Sequence, residues 1–219
     1  MRQFTDLHLR PQSQEAAKQM ADLARALGFK QVAFTTPGLK AGEDGGLKTV
    51  TRIDLDAAKK GDLVDALRRS RRRYDIVAVR CLSKEVARHA ARDHRVDILL
   101  FPEDPSMRRL NWLDVHEAEL AEGTGCAYEV NASEMLGAGP ARLAKVISQI
   151  KRDLFNAVRH DIPVVLSSGA SSPLTMREPR ALAALAGLLD VDESYATEMI
   201  TTNPSALIER SMSHREDEG

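Results

Sequence analysis

Short, continuous apolar runs alternate with helix-period stretches through the middle of the chain. Asp75–Arg80, Val96–Phe101, Ala127–Asn131 and Ile162–Ser167 are each followed by a segment whose apolar residues recur three and four apart. Runs that are apolar on both faces mark strands covered from both sides, as parallel strands are when helices pack over the sheet. Three earlier runs extend the pattern: Gln3–Leu9, Gln31–Thr35 and Leu47–Leu55. Helices fall between them. Ser13 caps one with an apolar face of Ala17, Met20, Ala21, Ala24 and Leu27, and Gly28 ends it. Another covers Ala57–Arg69, Ser83 caps a third, and Asp114 with Glu117 forms a capping-box-like pair that opens a fourth. The longest, Pro140–Arg159, carries the stripe Leu143, Val146, Ile147, Ile150, Leu154 and Val158. Pro179–Leu189 is helical again, and Asn203-Pro204 starts a closing helix to about Ser211.

Pro37–Gly46, rich in glycine and charge, reads as a mobile loop, and His214–Gly219 as a disordered tail. This rhythm predicts an α/β fold, a single TIM-like barrel of seven or eight parallel strands over residues 1–212, with a disordered acidic tail at 213–219. In such folds chemistry gathers where strands end. Arg80, Phe101-Pro102, Asn131–Ser133 and Ser167–Ser171 are therefore the places to interrogate.

At 219 residues and 43% hydrophobic content, the chain can bury one sizeable core. No run approaches the roughly 18 apolar residues of a membrane span, and the N-terminus lacks the order of a secretory signal, so a cytoplasmic protein without a membrane partner is expected. Cys81 and Cys126 have no metal-type spacing and read as reduced and buried. The net charge is only −1, yet 22 of the 31 basic residues are arginine, and they cluster. Distribution matters more here than the sum.

Asp6 and His8 lie two apart on a strand and point to one side, as a weak candidate metal pair would. Two ligands seldom hold a catalytic metal, and the other histidines fall away from strand ends, so hydrogen-bonded barrel residues are the other reading. Ser167–Ser171 can hold a phosphate with backbone N–H groups and hydroxyls, or be a tight strand-to-helix turn. It has neither the lysine of a phosphate-binding P-loop nor a His/Asp pair to activate a serine. The basic clusters are Lys59, Lys60, Arg68, Arg69, Arg71, Arg72 and Arg73, then Arg108 and Arg109, then Lys145, Lys151, Arg152 and Arg159. They suit a phosphate backbone; Arg72 and Arg73 also suit a helix C-terminus. With 4% aromatic residues, phosphate and shape recognition outweigh base stacking as the expected mode.

The order Asp75–Arg80, Val96–Phe101, Tyr128–Asn131, Val165–Ala170, Arg177–Pro179 and Asn203–Arg210 resembles the thirty-kilodalton subunit family of archaeal and eukaryotic ribonuclease P, called component 3 in archaea. The resemblance implies a barrel related to histidine-rich metal-dependent phosphoesterases that serves an RNA enzyme. In the family the RNA, with Mg²⁺, releases the 5′ leader of precursor tRNA. The chain would bind no cofactor, would not be the catalyst itself, and would contact the ribonuclease P RNA, precursor tRNA and protein component 2, as a heterotetramer. Carried over by position, the family pattern singles out Arg80, Ser167, Ser168, Gly169 and Arg177 with Pro179. With the basic clusters this gives Arg68, Arg69, Arg71, Arg72, Arg80, Arg108, Lys145, Ser167, Ser168, Gly169 and Arg177 as the expected RNA-binding set. Arg80 has the alternative of pairing with a barrel carboxylate such as Glu129. The competing function is a stand-alone metal-dependent phosphoesterase using Asp6 and His8.

Overall fold

The computed structural model describes residues 3–35 and 38–217. Strands β1 (Thr5–Leu9), β2 (Gln31–Phe34), β4 (Leu47–Leu55), β5 (Ile76–Arg80), β6 (Ile98–Leu100), β7 (Ala127–Asn131) and β8 (Val164–Ser167) pair in parallel in that order. β3 (Gly42–Asp44) is antiparallel to the start of β4. Helices α1 (Gln14–Ala26), α2 (Lys60–Ser70), α3 (Lys84–Ala91), α4 (Pro105–Arg108), α5 (Val115–Ala121), α6 (Ala132–Leu136), α7 (Pro140–Arg159), α8 (Pro179–Ala186), α9 (Glu193–Glu198) and α10 (Thr202–Asp217) complete the chain.

Local chemistry explains most boundaries. The Ser13 and Ser83 hydroxyls accept from the amides of Ala16 and Val86, and Asp114 and Glu117 make both bonds of a capping box. β4, β7 and α7 match their expected bounds to the residue. Within the glycine-rich segment, Gly45 and Gly46 take φ of +54° and +76°, which the hairpin turn between β3 and β4 requires. That stretch is therefore partly a hairpin rather than wholly a loop, while residues 36–37 lie outside the described residues. The closing helix also differs from expectation. Asn203 sits inside α10 and donates through Nδ2 to the Val164 carbonyl, and the helix continues to Asp217 where a disordered tail was expected; residues 218–219 lie outside the described residues.

Two apolar layers hold the barrel. Inward residues such as Leu7, Ala33, Val50, Ile76, Ile98 and Val165 pack together and meet Leu207 and Ile208 of α10, which closes the floor at the N-terminal ends of the strands. Outward residues such as Val32, Val77, Leu99, Tyr128 and Leu166 pack against Met20, Leu67, Val86, Ile150 and Leu182 of the helices. Among the described residues no eighth parallel strand fills the gap between β1 and β8. The gap is stitched instead: Thr5 N donates to Ile200 O at 2.9 Å, Leu166 N to Met199 O at 2.9 Å, and Arg10 N to Ala170 O at 2.8 Å. These bonds supply the sheet edges with the partners that an open edge would lack. Cys81 and Cys126 are buried free thiols.

Candidate functional site

The barrel interior above the apolar floor is ionic. Arg52 of β4 donates to both oxygens of Glu129 on β7, at 2.9 and 2.6 Å, to Asp54 at 2.7 Å and to the Leu7 carbonyl at 2.6 Å. His8 lies 2.9 Å from Asp54 and 3.2 Å from Glu129, and the Ser167 hydroxyl donates to Glu129 at 2.5 Å. Burial raises the Glu129 pKa, but the Arg52 guanidinium outweighs it and brings the carboxyl down to about 2. For His8, burial and Arg52 oppose protonation, yet Glu129 and Asp54 prevail and raise its pKa above the ordinary value.

A metal fits this arrangement poorly. The carboxylates that a cation would need are held by a guanidinium, and among the described residues no three His, Cys, Asp or Glu groups come together in a way that could hold a metal ion. Asp6 and His8 separate in role. The Asp6 Oδ1 accepts from the backbone amides of Ser168 and His8, both at 3.1 Å, and so belongs to the β1/β8 seam, while the His8 ring joins the ion cluster.

Above the cluster, the C-terminal strand ends open on a cavity of about 220 Å³ lined by residues that include His8, Arg10, Arg80, Leu100, Met107 and Asn131. Arg80 is half-exposed there, 3.6 Å from Asp56; Glu129 is taken by Arg52, so the alternative pairing with Arg80 is not formed. Arg177 lies beyond β8, partly buried, donating to the Leu174 and Met176 carbonyls. Three other family positions face inward. Ser167 bonds Glu129, the Ser168 hydroxyl accepts from Ala170 N, and the Gly169 carbonyl accepts from Arg10. Ser167, Ser168 and Gly169 of the expected RNA-binding set are thus buried and bonded within the chain, where they shape the mouth.

The arginine clusters divide the same way. Arg71 is buried, bonding Asp97 at 2.5 Å, the Tyr74, Asp75 and Arg95 carbonyls, and Ser211 of α10. Arg108 is buried between Asp153, Glu134 and the Tyr128 hydroxyl. Neither of these expected RNA-binding arginines presents its guanidinium at the surface, because both are buried against partners inside the fold. Lys151 pairs with Asp190 at 2.6 Å, and Arg152 bonds Asp153 and lies 3.9 Å from the Trp112 ring centre. Arg68, Arg69, Arg72 and Arg73 remain exposed, with no acidic partner among the described residues, as do Lys145 and Arg159. The Arg71–Ser211 bond places the exit of α2 at the floor. Lys145, near the start of α7, lies toward the mouth, since α7 runs from the end of β7 back to the start of β8.

Sequence reasoning missed Arg10 and Arg52. Arg10 follows the first strand and bridges Gly169, Ser133 and Glu103; its place at a strand end was the available signal. Arg52 gave none, because its partner on β7 is 77 residues away.

A family model described as RNase P subunit p30 matches residues 3–216. Ribonuclease P protein component 3 of Methanosarcina barkeri is 28% identical over 214 residues, covering 93% of this chain and 87% of that protein. Among solved structures, a chain of archaeal ribonuclease P with mature tRNA superposes with a TM-score of 0.79 at 21% identity, covering 94% of this chain and 90% of that one. The zinc-containing histidinol phosphate phosphatase of Lactococcus lactis superposes with a TM-score of 0.52 at 13% identity, covering 86% and 93%.

Proposed function

The chain belongs to the ribonuclease P subunit p30 family, and from that membership we propose that it is a non-catalytic protein subunit supporting the RNA that removes the 5′ leader from precursor tRNA in the cytoplasm. The observation that carries this reading is the row of exposed arginines at the exit of α2, Arg68, Arg69, Arg72 and Arg73, which have no acidic partner among the described residues. Unpaired guanidinium groups side by side neutralise successive phosphates and release their counterions, which lowers the Mg²⁺ that a compact RNA needs. Arg80, Arg177 and Lys145 add cations at the opposite end, so the barrel presents positive charge to RNA from both ends.

The stand-alone phosphoesterase is disfavoured by Arg52. A guanidinium bridging Asp54 and Glu129 supplies the positive charge that such a barrel otherwise takes from metal. In the proposed particle the Mg²⁺ belongs to the RNA, and this chain binds no cofactor.

For protein component 2, the partner expected of the family, the matching chemistry is an apolar strip on the outside of α7. Phe155 is 64% exposed and Val158 48%, beside a groove lined by Leu154, Leu189, Val191 and Tyr195. A contiguous exposed apolar patch of this kind marks a protein contact. Phe155→Asp is expected to abolish co-elution with component 2 in gel filtration while leaving the melting temperature of the isolated chain unchanged.

The decisive assay is leader release from precursor tRNA by reconstituted ribonuclease P RNA at limiting Mg²⁺, with component 2, with and without this chain. A gain that requires the chain, without cleavage by protein alone, supports the subunit. Phosphoester hydrolysis by the chain alone in Mn²⁺, with no gain, overturns it.

A further inference from the structure

The mouth cavity contains an unpaired buried amide. Asn131 is 2% exposed and lines the cavity; its Oδ1 has no hydrogen-bond partner, and its Nδ2 makes no hydrogen bond to another described residue. Its neighbours are engaged: Arg10 with Gly169, Ser133 and Glu103, Ser167 with Glu129, and His8 with Asp54 and Glu129. Leaving a buried polar group unsatisfied costs about 1–3 kcal/mol, so buried carboxamides are almost always bonded. The Oδ1 is packed in beside Gly169, so the Nδ2 faces the cavity, a donor suited to an acceptor on a base edge or a ribose oxygen.

The surroundings narrow the ligand. Leu82, Leu100 and Met107 form an apolar wall, and Arg80 is a half-exposed cation whose one acidic partner among the described residues is Asp56, at 3.6 Å. The acids at the rim are engaged, Glu103 with Arg10 and Asp104 with the Ser106 and Met107 amides of its own helix cap. About 220 Å³ lies below the roughly 300–1,000 Å³ of ordinary small-molecule pockets and takes one nucleoside unit at most. Bases paired in an A-form duplex turn their edges inward, whereas splayed single-stranded bases enter protein pockets. We propose that the barrel mouth receives one unpaired RNA nucleotide, its base or ribose edge on the Asn131 carboxamide and its phosphate on Arg80. This rests on the reading of the chain as an RNA subunit.

The test is fluorescence anisotropy of the full chain with a labelled single-stranded RNA oligomer and with a duplex of the same sequence. Asn131→Leu, which removes both hydrogen-bonding atoms and occupies the cavity, is expected to weaken single-strand binding about tenfold, leave duplex binding unchanged and not lower the melting temperature. Should the leucine misfold, Asn131→Ala repeats the test, with Arg80→Gln probing the phosphate. The triple variant Arg68→Glu, Arg69→Glu, Arg72→Glu is expected to weaken both RNAs. Single-strand binding within twofold of the parent in both Asn131 variants, with the triple variant still impaired, overturns the nucleotide site, leaves the subunit reading intact and assigns the cavity to solvent. Absence of binding to either RNA overturns both readings. Competition by a free nucleoside monophosphate at concentrations equal to the oligomer overturns the assignment to RNA in favour of a free nucleotide.

Discussion

The two ends of the barrel are built from the same polar residue types and use them in opposite ways. At the floor, Arg71 directs both terminal nitrogens into five hydrogen bonds, and Arg210 reaches the Thr124 carbonyl at 2.7 Å and Asp97 at 3.1 Å. Asp97 is shared by Arg71, Arg210, Ser211 and the Val77 amide, so α10 is locked to β5, β6 and α2. At the mouth, the Asn131 side chain is equally buried yet bonded to no described residue, and Arg80 has a long contact to Asp56 as its one acidic partner among them. The floor network leaves only the Arg71 and Arg210 Nε atoms unpaired and ties four elements together; at the mouth the whole Asn131 carboxamide lacks a partner among the described residues, at the end where barrels bind ligands.

The largest effect expected from that contrast is on stability. Arg71→Met strips Asp97 of its shortest ion pair inside the protein, and breaking a buried pair from one side costs about 3–5 kcal/mol. Urea unfolding should show that loss, whereas Asn131→Ala should lose far less, because it removes no side-chain bond to a described residue and relieves an unsatisfied buried amide. Comparable losses at both sites would erase the distinction between floor and mouth.

Next in size is an effect on binding at the floor-side surface. Arg68→Glu, Arg69→Glu, Arg72→Glu alters exposed residues with no acidic partner among the described residues, so the melting temperature should hold. The slope of log affinity for ribonuclease P RNA against log salt should become shallower by roughly 2 to 3, about one for each phosphate contact removed. An unchanged slope would show that these arginines touch no phosphate, and would leave the mouth as the remaining route to RNA.

The contrast between Arg71 and Arg72 also shows what a sequence can tell. Strand and helix assignments rested on local signals: Ser13 and Ser83 as caps, the Asp114/Glu117 box, the stripe of α7. Such signals lie within one element, and the structure has them in place. The short helices α4, α6 and α9, of 4, 5 and 6 residues, were not legible because one or two turns establish no period. Neighbouring arginines of one cluster were indistinguishable for a different reason. Arg71 is consumed by Asp97, 26 residues on, and Arg72 is not, and only the closed barrel brings that carboxylate within reach. Charge clustering located a region of exposed cations but overcounted them; Asn131 stood out in sequence only by its place at the end of a strand.

The smallest effect separates the two ends by pH, because His8 sits where the paired interior meets the mouth. Glu129, held at about 2 by Arg52 despite burial, contributes stability above its unfolded value of 4.5, and that contribution is lost as pH falls through 2. His8 has the opposite sign. Its pKa is raised above 6.5, so its contribution is fully present below 6.5 and is lost as pH rises through the folded value. Glu134, pushed up to about 7 by burial against the pull of Arg108, erodes stability between 4.5 and 7 in any variant that keeps it. Comparing the parent with His8→Gln cancels that background. The stability gap between them should be greatest near pH 6 and narrow toward pH 9, by about 1.4 kcal/mol for each unit by which folding raises the His8 pKa. A gap that is flat across this range would mean that His8 is neutral throughout, with the Arg52 charge alone balancing Asp54 and Glu129. The interior beneath the mouth would then be one positive charge poorer than the geometry implies, and the phosphate proposed for Arg80 would have less to draw it in.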